Sequence, residues 1–154
     1  MSGGAGGHNH GEPDAPAWSV PAPLWFWIVS GACVLWNALG AVDFTLAALH
    51  VRPWMALMPQ GVAAFAMRAP GWVAGAWALG VWGALAGALL MLARLRQAAV
   101  AYALSFAGAV GALAWSYAHG VAALGGQGIG GTVLGLMLVQ LWLSRAMFWR
   151  GVLR

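Results

Sequence analysis

Hydrophobic residues run along this chain in four long stretches, and eight of the ten charged side chains lie outside them. The stretches cover residues 24–49, 72–92, 98–117 and 129–147. A helix of about 20 residues, rising 1.5 Å per residue, crosses a hydrocarbon layer of about 30 Å. Barrel strands would alternate apolar and polar residues, and the stretches do not alternate in this way. The pattern therefore predicts an all-α membrane protein, with a four-transmembrane-helix bundle in residues 23–154.

The segments between the stretches differ in kind. Between the second and third stretches, Arg94 and Arg96 lie in a link of only a few residues, which predicts an antiparallel helical hairpin. Residues 120–128 form a glycine-rich turn. The link over residues 50–71 is longer, and Pro59 within it is suited to a first helical position. A short interfacial helix along the membrane surface and an irregular loop both remain open for this link.

Residues 1–22 are rich in Gly, Pro and Ala and show no helical period, which is typical of a disordered tail. A signal peptide would begin with positive charge, whereas this tail carries Glu12 and Asp14. His8 and His10 are possible metal ligands by residue type, but two imidazoles on a glycine-rich tail make a weak site. No metal site is predicted from them.

Composition supports the membrane assignment and excludes other classes. The chain is 62% hydrophobic and 6% charged, against about 25% charged residues in soluble domains. The lipid bilayer is therefore its expected surroundings. Its basic residues are seven arginines placed beside apolar stretches, and they do not form the basic face that binds nucleic acid. Cys33 is the single cysteine, so it forms no intrachain disulfide, and its position in an apolar stretch favours a small buried side chain.

Arginine placement predicts the orientation, because positive residues favour the cytoplasmic side. With four spans, both termini and the link between the second and third helices share one side. The arginines on that side are Arg94, Arg96, Arg145, Arg150 and Arg154, and those on the other side are Arg52 and Arg68. We therefore expect both termini to be cytoplasmic.

Small residues at four-residue spacing predict where the helices approach each other, because backbones in lipid associate through close packing. The pattern is compatible with packing inside one chain and with a homo-oligomer. The candidate packing positions are Gly40, Gly80, Gly83, Gly87, Gly131 and Gly135.

One face of the first helix carries unusual polarity. Asp43 is the only carboxylate in the apolar stretches, and Asn37 lies near the middle of the first. A charge at the membrane centre costs about 2.5–3.5 kcal/mol on insertion scales, so such residues normally face protein or water. We therefore expect this face to point into the bundle. With helical spacing, the face comprises Trp36, Gly40, Asp43, Ala47 and His50.

Three interpretations of this face remain open. Its polar groups could hydrogen-bond neighbouring helices, or bind a proton, a cation or a sugar hydroxyl during transport. In the third, His50 and His119 at the same end of the bundle share a metal or haem. Ser116, Tyr117 and Gln140 could complete a polar pocket with Asp43, although Gln140 lies deeper in the fourth stretch. The candidate substrate- or proton-binding residues are Asp43, Asn37, Trp36, His50, Ser116, Tyr117 and His119.

Motifs of catalysis do not occur. The sequence has no HExxH, no GxSxG and no phosphate-binding glycine loop followed by lysine. Only three carboxylates occur, two of them in the tail, which leaves no pair for acid–base chemistry. We expect neither enzymatic activity nor a cofactor.

Three segments resemble a small family of bacterial inner-membrane proteins that are often labelled sugar transporters. They are WNxxGxxD, starting at Trp36, then APGWVAGAWALGVWGALAGALLMLAR in the second stretch and SRAMFWRGVLR at the end. The resemblance covers residues 24–154 and implies four spans in the inner membrane. Members often carry acidic residues after a proline in the segment between spans one and two, where this chain has Gln60 after Pro59. The resemblance favours small-solute transport, with a dimer supplying the helices that four spans lack; the alternative is a structural or accessory membrane subunit.

Overall fold

The computed structural model describes residues 20–58, 68–119 and 127–154, with side chains in the last range described from Gly130 onward. Within these ranges every regular element is a helix. Four helices are long and apolar enough to cross a membrane, which confirms the predicted fold class: the chain is a multi-pass membrane protein. The elements are α1 (Leu24–Ala48), α2 (Arg52–Leu57), α3 (Gly71–Leu92), α4 (Ala98–Ala118) and α5 (Gln127–Trp149).

The ends of the helices follow from local sequence. Pro23 and Pro70 are the N-cap residues of α1 and α3, and both are extended. A proline has no backbone N–H to donate to a preceding helical turn, so each helix begins after its proline. At the other ends, His50 and Arg94 take positive φ angles of 51° and 61°, and Gly151 takes 71°. At each of these residues the chain closes the helix with the paired backbone bonds of a Schellman motif, such as the Leu95 N–H to the Leu90 carbonyl at 2.8 Å.

A short helix, one of the two possibilities left open for the link between the first two spans, is present at Arg52–Leu57. Pro53 stands in its first turn, where a missing N–H costs nothing. The segment beginning at Pro59, where the sequence favoured this helix, lies outside the described residues. So do His8 and His10 of the tail and most of the glycine-rich turn after α4.

The four long helices pack in chain order, α1 on α3, α3 on α4 and α4 on α5. One apolar cluster draws on all four helices, including Phe26 of α1, Met91 of α3, Tyr102 of α4 and Met147 of α5. A second, nearer the opposite end, contains Val73 of α3 and Ala112 of α4 among the described residues. The bundle is therefore closed at the end that holds Arg94, and α1 and α5 are less tightly joined towards the other end.

Small residues bring α3 and α4 into close contact. A Cβ atom added to Gly80, Gly83 or Gly87 would come within 3.0–3.2 Å of Ala109, Ser105 or Tyr102, respectively. The Ser105 hydroxyl also donates a hydrogen bond to the Gly80 carbonyl. The other candidate packing glycines differ, because an added Cβ would have no described heavy atom within 4 Å. These open positions are Gly40, Gly131 and Gly135.

Arg94 ties three segments together at the closed end of the bundle. Its Nε donates to the Val152 carbonyl at 2.9 Å, and its Nη2 donates to the Val20 carbonyl at 2.6 Å. Its backbone carbonyl accepts from the Arg154 N–H, and the Arg96 N–H donates to the Arg154 carbonyl, both at 2.7 Å. The residues after α5 are therefore fixed against the link between α3 and α4.

Candidate functional site

The buried face of α1 carries a polar contact to α5. Asn37 is 7% exposed and Gln140 of α5 is 5% exposed. The Asn37 side-chain nitrogen donates to the Gln140 Oε1 atom and to the Cys33 carbonyl, each at 2.8 Å. The contact to a backbone carbonyl identifies which end of the Asn37 amide is the nitrogen, because a carbonyl accepts only from a donor. Asn37 therefore joins two helices that are distant in sequence.

The face containing Asp43 does not point into the bundle, contrary to the expectation from helical spacing. Asp43 is exposed and Trp36 is 52% exposed. The buried residues of α1 are Phe26, Ser30, Asn37 and Ala41, on a neighbouring face. The predicted stripe was wrong by about one residue, or 100° of helical rotation, because small apolar residues on either face of α1 satisfy the same pattern.

Asp43 accepts a hydrogen bond from α2. The Trp54 indole Nε1 donates to Asp43 Oδ1 at 3.1 Å. The closing turn after α1, with His50 at positive φ, reverses the chain so that α2 lies near the end of α1. The carboxylate therefore has a fixed donor on one oxygen and stays accessible from outside.

A groove of about 350 Å³ lies between α1, α3 and α5 and brings these polar residues together. Asn37 and Gln140 lie in its wall, and Asp43 lies towards the end where α1 meets α2. The groove extends along the side of the bundle where α1 and α5 are not closely packed. Its lining also includes Trp36, Leu39, Gly40, Trp77, Val81, Ala84, Val133, Leu136 and Met137.

The amide pair leaves hydrogen-bonding capacity at the groove. Asn37 uses its nitrogen and Gln140 uses its oxygen in their mutual contact. In the described part of the chain, the Asn37 oxygen and the Gln140 nitrogen have no hydrogen bond of their own. A hydroxyl group needs one acceptor and one donor, and these two atoms supply that combination.

The remaining predicted site residues lie elsewhere. The Ser116 hydroxyl is buried and donates to the Ala112 carbonyl of its own helix at 2.8 Å. Tyr117 is exposed, and His119 stacks on Trp115 with ring centroids 4.3 Å apart. His50 is exposed in the turn after α1. The structure therefore brings Trp36, Asn37 and Asp43 to the groove; the other four do not line it.

Metal binding has no support in the described ranges. No group of three or more His, Cys, Asp or Glu side chains comes together there. His119 contacts the Trp115 carbonyl through Nδ1 at 2.8 Å. The shared metal or haem of His50 and His119 stays an untested hypothesis, because no described contact links the two residues.

Two tryptophans, one that bonds Asp43 and one that lines the groove, carried little signal in the sequence. Trp54 lies beyond the end of α1, and only the turn at His50 brings its indole to Asp43. Trp77 is one of eleven tryptophans, and nothing in its spacing separates it from those that face lipid. Gln140 had a usable signal, since it is the single amide in the apolar part of the fourth stretch.

A groove that combines indole rings, an amide pair and one carboxylate is suited to bind a small hydroxylated or amphipathic molecule. Aromatic faces supply apolar contact area, while a few polar atoms fix the orientation of the bound molecule. Protein-family models, curated proteins and solved structures were compared with this chain, and none of them matches it.

Proposed function

We propose that this multi-pass membrane protein binds a small solute of the sugar type in the groove and takes part in its transport across a bacterial inner membrane. The groove of α1, α3 and α5 is the solute site in this proposal. The resemblance of the WNxxGxxD segment, the second span and the final segment to transporters labelled for sugars supports it.

The observation that carries the proposal is the Asn37–Gln140 contact in the groove wall. The pair presents one acceptor and one donor beside the Trp36 and Trp77 rings. Sugars offer hydroxyl groups on their edges and C–H groups on their faces, so amide groups and indole rings suit them together. Asp43 adds a charge-assisted acceptor at the end of the groove.

Transport needs a passage that both sides of the membrane can reach in turn. Four helices supply few surfaces for such a passage, and the groove is open at the side of the bundle. We propose that two copies associate, so that a second bundle covers this open side. The orientation in this proposal places both ends of the chain in the cytoplasm.

Uptake into vesicles containing the purified protein tests the proposal, with sugars and cations screened in turn. Trp36→Ala removes a ring from the groove, and Trp142→Ala removes a ring from an exposed position on α5 that does not line it. We expect Trp36→Ala to lower uptake about tenfold, as losing about 1.4 kcal/mol of contact would. Trp142→Ala should retain uptake.

Asp43→Asn supplies the second arm of this experiment. The amide oxygen can still accept from the Trp54 indole, so the fold is retained while the charge is lost. Uptake should fall, because the charge-assisted acceptor at the end of the groove is lost. If Trp36→Ala and Asp43→Asn both transport as the parent does, the groove is not the solute site.

A structural or accessory subunit is the second candidate function. The observation that favours it is that Asn37 and Gln140 already hydrogen-bond each other across α1 and α5, as polar residues do when they hold membrane helices together. In that case a helix of another protein covers the groove. Vesicles would then take up no solute, and Trp36→Ala would weaken co-purification of the partner while Trp142→Ala would not.

A further inference from the structure

A second concavity lies at the closed end of the bundle, between the first turn of α4 and the last turns of α5. We call it the arginine cleft, and its volume is about 310 Å³. Arg96 and Gln97 enter it from the link before α4, and Arg145 enters it from α5. The groove of the proposed solute site has none of these residues in its lining.

The two arginines of the cleft have no carboxylate partner in the described ranges. Asp43 carries the only acidic side chain there, and it lies near the opposite end of α1, bonded to Trp54. Arg96 and Arg145 are both exposed. Two guanidinium groups that line one cleft without an acidic side chain beside them attract phosphate, which accepts bidentate hydrogen bonds from arginine.

The backbone that carries Arg96 is held in place. Its N–H donates to the Arg154 carbonyl at 2.7 Å, and Arg94 beside it bonds the Val20 and Val152 carbonyls. Gln97 precedes α4 without a side-chain capping bond. The Ala98 N–H of α4 donates to the Leu95 carbonyl at 3.1 Å. The partial positive charge at the start of a helix still adds to the attraction for an anion.

The rest of the cleft is apolar and suits the part of a lipid next to its headgroup. Val100 of α4 and Phe148 and Trp149 of α5 line it. All three are exposed, Trp149 by 76%. Indole rings favour the level of the headgroups in a bilayer, and arginines between the ends of membrane helices bind anionic headgroups.

We propose that the arginine cleft binds an anionic glycerophospholipid, with Arg96 and Arg145 on its phosphate and the side chains of Val100, Phe148 and Trp149 against its glycerol and upper acyl chain. The bound lipid bridges the start of α4 and the end of α5. This site is independent of the solute groove and of the transport function proposed for it.

Native mass spectrometry of the detergent-purified full chain tests the site, with phosphatidylglycerol as the probe. Phosphatidylcholine with the same acyl chains serves as the comparison lipid. We expect phosphatidylglycerol to bind about tenfold more tightly, because its headgroup brings no cation near the arginines. The double variant Arg96→Gln with Arg145→Gln should lose about tenfold in affinity for phosphatidylglycerol or more.

Arg150→Gln is the matched control, because Arg150 lies at the same end of the bundle but does not line the cleft. It should bind phosphatidylglycerol as the parent does. The lysine variants Arg96→Lys and Arg145→Lys keep the charge and lose the bidentate geometry, and they should lie between parent and glutamine variant. Equal losses for Arg150→Gln and the cleft variant would show general attraction to a basic surface and overturn the proposal.

Competition with inorganic phosphate shows whether the cleft binds the phosphate of a lipid or free phosphate. At millimolar concentration it should leave phosphatidylglycerol bound, because the lipid also contacts the apolar part of the cleft. Complete displacement would assign the cleft to free phosphate and overturn the lipid assignment. Melting without lipid should be equal for the parent and the double glutamine variant, since both arginine side chains are exposed.

Discussion

Tyr102 and Ser30 are buried side chains whose hydroxyl groups have no hydrogen-bond partner among the described residues. Tyr102 is 1% exposed and its ring lies against Gly87 of α3. Removing a buried polar group that has no partner is close to neutral or stabilising, whereas removing a bonded one costs stability. The ring of Tyr102, rather than its hydroxyl, is therefore its contribution to packing.

We expect Tyr102→Phe to keep the stability of the protein or raise it by up to about 1 kcal/mol. Tyr117 is the matched control, because it is the other tyrosine and is 57% exposed. Thermal melting of Tyr102→Phe and Tyr117→Phe in the same detergent measures the difference. A lower melting temperature for Tyr102→Phe alone would mean that its hydroxyl is hydrogen-bonded in the membrane protein.

At the scale of elements, α3 and α4 approach closely because glycine, which has no Cβ atom, lies at their contact. A Cβ atom added to Gly108 would lie 2.5 Å from the Ala76 carbonyl oxygen and 3.0 Å from the Gly80 nitrogen. Both are backbone atoms of α3, so they cannot move aside as a flexible side chain can. The two helices would have to separate, with loss of the dispersion contacts that hold helices together in lipid.

Gly108→Ala should therefore destabilise the protein by about 1–3 kcal/mol, the usual cost of overpacking a closely packed core. Gly111→Ala on the same helix is the control, because an added Cβ there meets no described heavy atom within 4 Å. Thermal melting should separate the two variants clearly. Equal melting of both would show that α3 and α4 are not in close contact at Gly108.

At the scale of the whole molecule, four spans place the two ends of the chain on one side of the membrane. The segments before α1 and after α5 meet at the closed end of the bundle, since Arg94 donates hydrogen bonds to the Val20 and Val152 carbonyls. Five arginines lie at or next to this end, and Arg52 and Arg68 lie at the other. The arginine bias favours a cytoplasmic location for the closed end.

We expect a reporter fused after residue 154 to give a cytoplasmic signal and one inserted after residue 60 to give a periplasmic signal. Changing Arg52 and Arg68 to glutamine increases the bias and should leave both signals unchanged. Changing Arg96, Arg145 and Arg150 to glutamine leaves two arginines on each side, which removes the bias and should produce mixed signals. A cytoplasmic signal after residue 60 in the parent would contradict this orientation.

The sequence by itself determined the four spans and the helical class. Predicted and observed spans agree closely, as for residues 72–92 against Gly71–Leu92, because the thickness of the hydrocarbon layer sets the length of an apolar helix. A helix also satisfies its own backbone groups wherever it lies in lipid. Neither constraint depends on which helices are neighbours.

Only the tertiary structure decided which face of each helix is covered. In water a buried face is the apolar one, but lipid is as apolar as a protein core, so hydrophobic spacing does not separate lipid-facing from buried residues. The sequence therefore pointed to the face of Asp43, whereas packing buries the face of Asn37 and pairs it with Gln140, 103 positions later. The groove and the arginine cleft both form where segments distant in sequence meet. The spacing of residues along a single helix does not predict which other helix it contacts.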